Sequence, residues 1–169
     1  FGAAYGDRLS SLLIVDNRRA RSEFHGSTSV SVTDANVVIE GGVPVGQGGS
    51  WLFSARRTYY DLVAGRLQDQ NFPSFADLQL QVGWEFGPGY RLTLMGLRSI
   101  ENGDLDFDID RPNERAALGS DVSNNLASAR FDAVLGSRAT TTTTVSWYRN
   151  QETIDFDGLI RADARRSNT

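Results

Sequence analysis

The run NGDLDFDID, residues 102 to 110, has the residue types and the spacing to bind a cation. Asp104, Asp106, Asp108 and Asp110 occupy every second position. In an extended strand alternate side chains lie on the same side, so the four carboxylates would share one face. Oxygen-rich groups of this kind bind calcium. The same pattern is typical of a solvated acidic strand, so the sequence leaves both interpretations open.

The other residues that could carry chemistry argue against an enzyme. His25 is the only histidine and the chain has no cysteine, which disfavours a metal site. No serine–histidine–carboxylate spacing stands out. The stretch GGVPVGQGGS, residues 41 to 50, is rich in glycine but lacks the lysine with which a P-loop reaches phosphate. We therefore predict no catalytic residue, no metal site and no cofactor.

Composition narrows the remaining classes. The net charge is -4 and the pI is about 5.0, which disfavours a nucleic-acid partner. The chain has no run of 18 or more apolar residues, and we therefore expect no transmembrane helix.

Apolar and polar residues alternate with a period of two along most of the chain, and this pattern predicts about seven antiparallel strands. In ADLQLQVGWEFGPGYRLTL, for example, apolar residues alternate with polar ones up to the turn Gly87-Pro88-Gly89. Further turns are predicted at Thr33-Asp34, at residues 44 to 49 and at GSRAT, residues 136 to 140. Two long polar loops are predicted near Ala64 to Phe75 and Arg111 to Ser123. The tail from Leu159 to Thr169 is predicted to be a loop.

Three features favour lipid over a protein core as the partner of the apolar residues. The predicted strands run about ten residues, the length that a tilted membrane strand requires. Short turns fall on one side of the sheet and the long polar loops on the other, as in outer-membrane barrels, although the short Thr33-Asp34 turn lies on the side of the long loops. Aromatic residues gather near strand ends, as in an interfacial girdle. These aromatic residues are Trp51, Phe53, Tyr59, Tyr60, Trp84, Phe86, Tyr90 and Trp147.

The predicted fold class is therefore all-β. We expect an antiparallel transmembrane β-barrel that is incomplete in this chain, because seven is an odd number and single-chain bacterial barrels have even numbers of strands. About seven strands of a larger barrel should form an open, curved sheet with unpaired edges.

Two motifs carry a resemblance to a known family. FGAAYGDRLSSLLIV, residues 1 to 15, resembles the end of the plug domain of TonB-dependent outer-membrane receptors. GSWLFSARRTYYDLV, residues 49 to 63, with EGGVP just before it, resembles the opening barrel strands of the same family. The two motifs occur in the order of the family, which encloses a plug within a 22-stranded barrel.

The resemblance implies a function, a location and partners. Residues 1–21 would be the C-terminal end of the plug domain, and residues 22–169 would be the N-terminal strands of the barrel. The protein would be a receptor in the bacterial outer membrane that imports a scarce nutrient, such as a siderophore, a vitamin or a glycan. Its partners would be outer-membrane lipid, the nutrient and the TonB complex, which would contact a part of the receptor preceding this chain.

The resemblance also suggests contacts between the plug and the barrel wall. Plug arginines of the family can pair with glutamates of the wall, and Arg8 lies in the plug-like motif. By alternation Glu40 and Glu85 face the lumen, so they are candidate partners of Arg8. The alternative is that Arg8 is solvated in a polar lumen.

Two local irregularities are also expected. Arg56 and Arg57 are adjacent, so only Arg56 can face the lumen unless a bulge intervenes. Arg57 is therefore expected near the outer interface or at a bulge. A second bulge, near Ser99 to Gly103, would bring Leu105 and Phe107 onto the face of Leu92 and Leu94.

Two rival interpretations remain open. One is a complete outer-membrane barrel of eight strands that serves as an adhesin or a lipid enzyme. The other is a soluble β-barrel or sandwich that binds an apolar ligand, in which the apolar face would point inward.

Overall fold

The computed structural model describes residues 17–44, 48–59, 73–108, 115–156 and 160–168. These residues form β-strands and no helix, which confirms the predicted all-β class. The strands are β1 (His25–Val30), β2 (Asp34–Gly42), β3 (Gly49–Thr58), β4 (Ser74–Gly87), β5 (Tyr90–Asp108), β6 (Arg115–Leu135), β7 (Ala139–Phe156) and β8 (Ile160–Asn168). Within the described ranges there is no helix that is long and apolar enough to cross a membrane.

The eight strands form one antiparallel sheet in chain order. Each strand pairs with the next, and within the described residues β1 and β8 do not pair with each other, so the sheet is open. The predicted count of about seven strands is wrong, because the tail forms β8. Its register runs from Phe156↔Ile160 to Tyr148↔Asn168. Backbone hydrogen bonds hold this strand, whereas its polar sequence lacks the alternation from which strands are predicted.

The later strands are longer than predicted. β5 and β6 contain 19 and 21 residues, against the expected ten or so. The polar stretch from Arg111 to Ser123 is therefore not a loop throughout, since β6 begins at Arg115. Likewise β4 begins at Ser74, inside the first predicted polar loop. Polar residues continue the sheet beyond the point where the apolar pattern fades.

The predicted bulge near Ser99 to Gly103 is also wrong. β5 pairs with β6 without a shift of register from Tyr90 to Asp108. The irregularity lies instead between Glu85 and Gly87, beside the tight β4–β5 turn. At that turn Gly89 has a φ of 84°, in the left-handed region that favours glycine.

The sheet has two chemically different faces, because directly paired residues share a face and neighbours along a strand alternate. We call them the polar face and the apolar face. One cross-strand row of the polar face consists of Glu40, Leu52, Gln81, Met95, Ser128 and Ser146. One row of the apolar face consists of Trp51, Val82, Leu94, Ala129 and Val145.

Burial runs opposite to that of a soluble sheet. Among the described residues the buried hydrophobic side chains are Leu52 and Ala133, whereas Glu40, Ser50 and Gln81 are buried polar ones. Six large side chains of the apolar face are 38 to 68% exposed. They are Leu78, Leu80, Leu94, Phe131, Val145 and Trp147. The polar face therefore carries the buried centre of this sheet.

Candidate functional site

A segment that precedes the sheet lies across its polar face. Residues 17–24, here called the lead-in segment, contain no helix or strand. The Asn17 side-chain amide donates to the Met95 sulfur of β5 at 2.8 Å. Gln81 of β4 donates to the carbonyl oxygen of Arg18 at 3.5 Å. Because Arg18 also reaches β2, the segment spans the face from β2 to β5.

Glu40 of β2 holds the lead-in segment. The Arg18 guanidinium donates to both carboxylate oxygens of Glu40, with Nη1–Oε2 and Nη2–Oε1 distances of 2.6 and 2.9 Å. The backbone N–H of Arg21 donates to Oε2 at 2.9 Å, and the Arg21 Nε lies 3.8 Å from Oε1. The Glu40 side chain is 1% exposed and that of Arg18 is 55% exposed. A buried carboxylate is thus satisfied by a segment that remains accessible to solvent.

The charge state of this contact is fixed by its geometry. A two-pronged guanidinium–carboxylate pair requires both groups to be ionised. The hydrogen bond from Arg18 to Glu40 raises the pKa of Arg18 above its ordinary value. The contact therefore persists as an ion pair at any pH at which Glu40 is ionised.

The predicted partners of Arg8 lie in different surroundings. Arg8 lies outside the described residues, so its contact with the barrel wall stays a prediction. Glu40 contacts Arg18 and Arg21 instead. Glu85 is half exposed and accepts a hydrogen bond from Arg91 of β5 at 2.9 Å. The structure thus brings Glu40 together with the lead-in segment and leaves Glu85 in a pair within the sheet.

A polar cavity of about 360 Å³ adjoins the lead-in segment on the same face. Its lining includes Arg19, Arg91, Arg130 and Asp132. Arg130 Nε lies 3.0 Å from Asp132 Oδ1, and the Thr142 hydroxyl donates to that oxygen at 2.7 Å. The cavity is charged and hydrogen-bonded, which suits water or polar side chains.

Arg56 and Arg57 occupy opposite faces, as the alternation predicted. Arg56 is on the polar face and pairs with Asp77 of β4, with Nε–Oδ2 and Nη2–Oδ2 distances of 2.9 and 2.5 Å. Arg57 is exposed on the apolar face, one residue before the end of β3. Pairing on both sides of β3 is regular here, so no bulge is present.

The predicted aromatic girdle falls partly into a cluster beside the β4–β5 turn. Trp84 and Phe86 stack with ring centroids 6.0 Å apart, and Tyr90 stacks on Phe131 at 6.4 Å. Phe131 was not among the predicted girdle residues, although it is in register with Leu92 of the neighbouring strand. The pattern of the β6 segment could have revealed it.

The remaining girdle residues are dispersed along the sheet. Trp51 and Phe53 lie on the apolar face of β3, and Trp147 lies on that of β7. The Tyr59 hydroxyl donates to the carbonyl oxygens of Ser31 and Asp34 beside the β1–β2 turn. Tyr60 lies outside the described residues.

The candidate cation site is described only in its backbone. Asp104, Asp106 and Asp108 fall in β5, but their side chains and all of Asp110 lie outside the described part of the chain. Within that part no group of three or more His, Cys, Asp or Glu side chains could hold a metal ion. His25 is exposed at the start of β1, in register with Glu40.

Sequence reasoning missed Arg18 and Arg21 as the partners of Glu40. A signal for them exists, because residues 18 to 21 read Arg-Arg-Ala-Arg just before the first strand. A basic run that precedes a sheet with a buried glutamate on its polar face is a natural source of counter-charge. No known protein family, no curated protein and no solved structure matches the chain.

Proposed function

We propose that the chain contributes the end of a plug domain and the first barrel strands of a TonB-dependent receptor in the bacterial outer membrane. The receptor binds a scarce nutrient, such as a siderophore, a vitamin or a glycan, outside the cell. It admits the nutrient to the periplasm with energy delivered by the TonB complex. The protein is a transporter and catalyses no covalent step.

The inverted burial of the two faces is the observation that carries this proposal. A sheet in water buries its apolar face against a second layer. Among the described residues the most buried large side chain is that of Glu40, whereas Leu80, Leu94 and Trp147 are exposed. A bilayer would cover these apolar side chains, and a lumen would contain the polar face and the lead-in segment.

The contacts of the lead-in segment suit a part that must move. They are an ion pair and hydrogen bonds of Arg18, Arg21 and Asn17 with the polar face. Such groups exchange their partners for water when they separate, at a much smaller net cost than their vacuum strength implies. A pull from the periplasm can therefore release the segment while the sheet stays paired.

Location and energy coupling test the proposal together. The full-length protein should partition with outer membranes and migrate anomalously on gels until it is heated. Growth on a panel of iron siderophores, cobalamin and oligosaccharides should show one nutrient whose use requires both this protein and TonB. Recovery of the protein in the aqueous fraction, or growth that is indifferent to TonB, would contradict the proposal.

A complete barrel of eight strands is a second candidate, and the strand count favours it. Eight is an even number and the size of the smallest outer-membrane barrels. In such a barrel β1 would pair with β8, a pairing absent from the described residues. The chain has no cysteine, so Ser27→Cys with Arg166→Cys, both on the polar face, gives a clean test. A short bis-maleimide should join the two positions in the small barrel and leave them unlinked in the larger receptor.

A further inference from the structure

The apolar face carries a shallow groove of about 530 Å³ across β4 to β7. Gly96 and Ala127 are directly paired and form its floor. Leu80, paired with Gly96, and Trp147, paired with Ala127, form its two walls. A side chain built at Gly96 would meet nothing within 4 Å. Small residues thus leave open space between two large apolar side chains.

Two arginines stand at one end of this groove. Arg98 and Arg149 belong to the next row of the apolar face, and both pair with Asn125 between them. Since neighbouring strands are about 4.8 Å apart, the two backbones lie about 10 Å from each other. The row is two residues beyond the groove floor, or about 7 Å along the strands. The arginines can therefore reach a group that sits directly over the groove.

Within the described residues, little negative charge lies close enough to compensate the charges of these two arginines. Neither takes part in an ion pair with a described acidic side chain. The Arg149 Nε is buried without a hydrogen-bond partner in the described residues. Asp121 lies on the same face of β6 but four residues beyond Asn125, about 13 Å along the strand. The end of the groove is thus locally positive.

We propose that the groove binds one lipid with an anionic phosphate headgroup, an inference that rests on the proposed function. An acyl chain lies over Gly96 and Ala127, and the phosphate oxygens accept hydrogen bonds from Arg98 and Arg149. The depth is consistent with this placement. Arg98 is eight residues from Tyr90 at the tight turn, about 27 Å along the strand, and a tilt of about 40° reduces this to about 21 Å, close to the ~25 Å apolar band of outer-membrane barrels. The headgroup therefore belongs to the leaflet opposite the short turns.

The test measures lipid retained by the full-length protein. Protein purified from outer membranes is stripped of lipid in dodecyl maltoside and mixed with dioleoylphosphatidylglycerol or dioleoylphosphatidylcholine. Native mass spectrometry then counts bound lipid. The wild type should retain the anionic lipid selectively. Arg98→Gln with Arg149→Gln should weaken this retention about 25-fold, because each arginine near an anionic surface contributes roughly fivefold.

Two further variants separate the parts of the site. Gly96→Leu should fill the groove and reduce retention while both arginines remain. Arg57→Gln removes the same charge from the same face on β3, away from the groove, and should leave retention unchanged. If the double arginine variant or Gly96→Leu retains as much anionic lipid as the wild type, the inference is overturned. Full competition by inorganic phosphate also overturns it, since that would show a phosphate site without a lipid.

The same preparation separates this inference from the proposed function. Protein that reaches the outer membrane but shows no selective retention refutes the lipid site alone. Protein that never enters the outer membrane refutes both.

Discussion

At the scale of residues, the contact between Glu40 and the lead-in segment is the main polar interaction at the buried centre of the sheet. Both carboxylate oxygens accept hydrogen bonds from the Arg18 guanidinium, and one also accepts from the backbone of Arg21. No other described large side chain is as fully buried. The buried charge of Glu40 is compensated only while its solvent-accessible partner stays in place, so displacing that partner destabilises the carboxylate.

Glu40→Gln should loosen the lead-in segment. The amide keeps the size of the carboxylate but removes the negative charge, so two guanidinium groups lose their counter-charge. In the full-length protein we expect a higher single-channel conductance in planar bilayers and greater sensitivity of cells to vancomycin. Glu85→Gln is the matched control, because Glu85 is exposed and pairs with Arg91 on the adjacent strand. Equal conductance of the Glu40 variant and the wild type would refute the role of the contact between Glu40 and the lead-in segment.

A double-mutant cycle assigns this effect to the pair itself. Removing one partner of a buried charge pair leaves the other uncompensated, whereas removing both is far less disruptive. Arg18→Gln combined with Glu40→Gln should therefore be less leaky than the sum of the single variants. Simple additivity would show that Arg18 and Glu40 act independently.

At the scale of elements, the β4–β5 hairpin depends on one glycine. Gly89 has a φ of 84°, and a Cβ built there would lie 2.8 Å from the Cβ of Val134. Gly87 lacks the positive φ of Gly89 and has open space where its Cβ would be. The two glycines of one turn thus differ in whether a side chain is tolerated.

Gly89→Ala should therefore destabilise the protein and Gly87→Ala should not. The left-handed conformation costs an alanine about 1–2 kcal/mol, and the contact with Val134 adds to that. Urea titration of the folded, heat-modifiable protein in detergent micelles measures the difference. Equal unfolding midpoints for the two variants would show that the turn has another conformation.

The solvent of the apolar face can be identified with one pair of substitutions. Leu80 and Gln79 are neighbours on β4 and lie on opposite faces. In lipid, Leu80→Arg should destabilise the folded barrel by about 2–4 kcal/mol, whereas Gln79→Arg on the polar face should be tolerated. In water a half-exposed Leu80 would accept arginine with an effect within about 0.5 kcal/mol. Denaturant unfolding of both variants in bilayer vesicles distinguishes the two solvents.

At the scale of the whole molecule, the open sheet has consequences for solubility. β1 and β8 each present an edge that has no partner in the described residues. Unpaired edges are templates for pairing with another chain. The large apolar side chains of the apolar face add a second reason for association.

The chain expressed by itself should therefore associate or precipitate in aqueous buffer. Size-exclusion chromatography with light scattering measures its state with and without detergent. Detergent should yield smaller, defined particles because it covers the apolar face. A stable monomer in buffer alone would favour the soluble alternative and count against a membrane sheet.

Much of the sheet could be predicted from the alternation of individual residues. Leu78, Leu80 and Val82 on one face, and Gln79 and Gln81 on the other, follow from the period of an extended chain. The turns at Thr33-Asp34 and Gly87-Pro88-Gly89 follow from residue types that suit them. Alternation failed for β8 and for the N-terminal half of β6, because polar residues on both faces leave no period to detect.

Only the sheet side of the site could be predicted from the sequence. The sequence by itself determined the class, the hairpin order and the polar face of Glu40, because strand geometry depends on neighbours along the chain. Only the tertiary structure decided that Arg18 and Arg21 satisfy Glu40, that β8 pairs with β7, and that Arg98 and Arg149 border the groove over Gly96. These contacts join residues distant in sequence, and their register is fixed by pairing across strands, to which local patterns are blind.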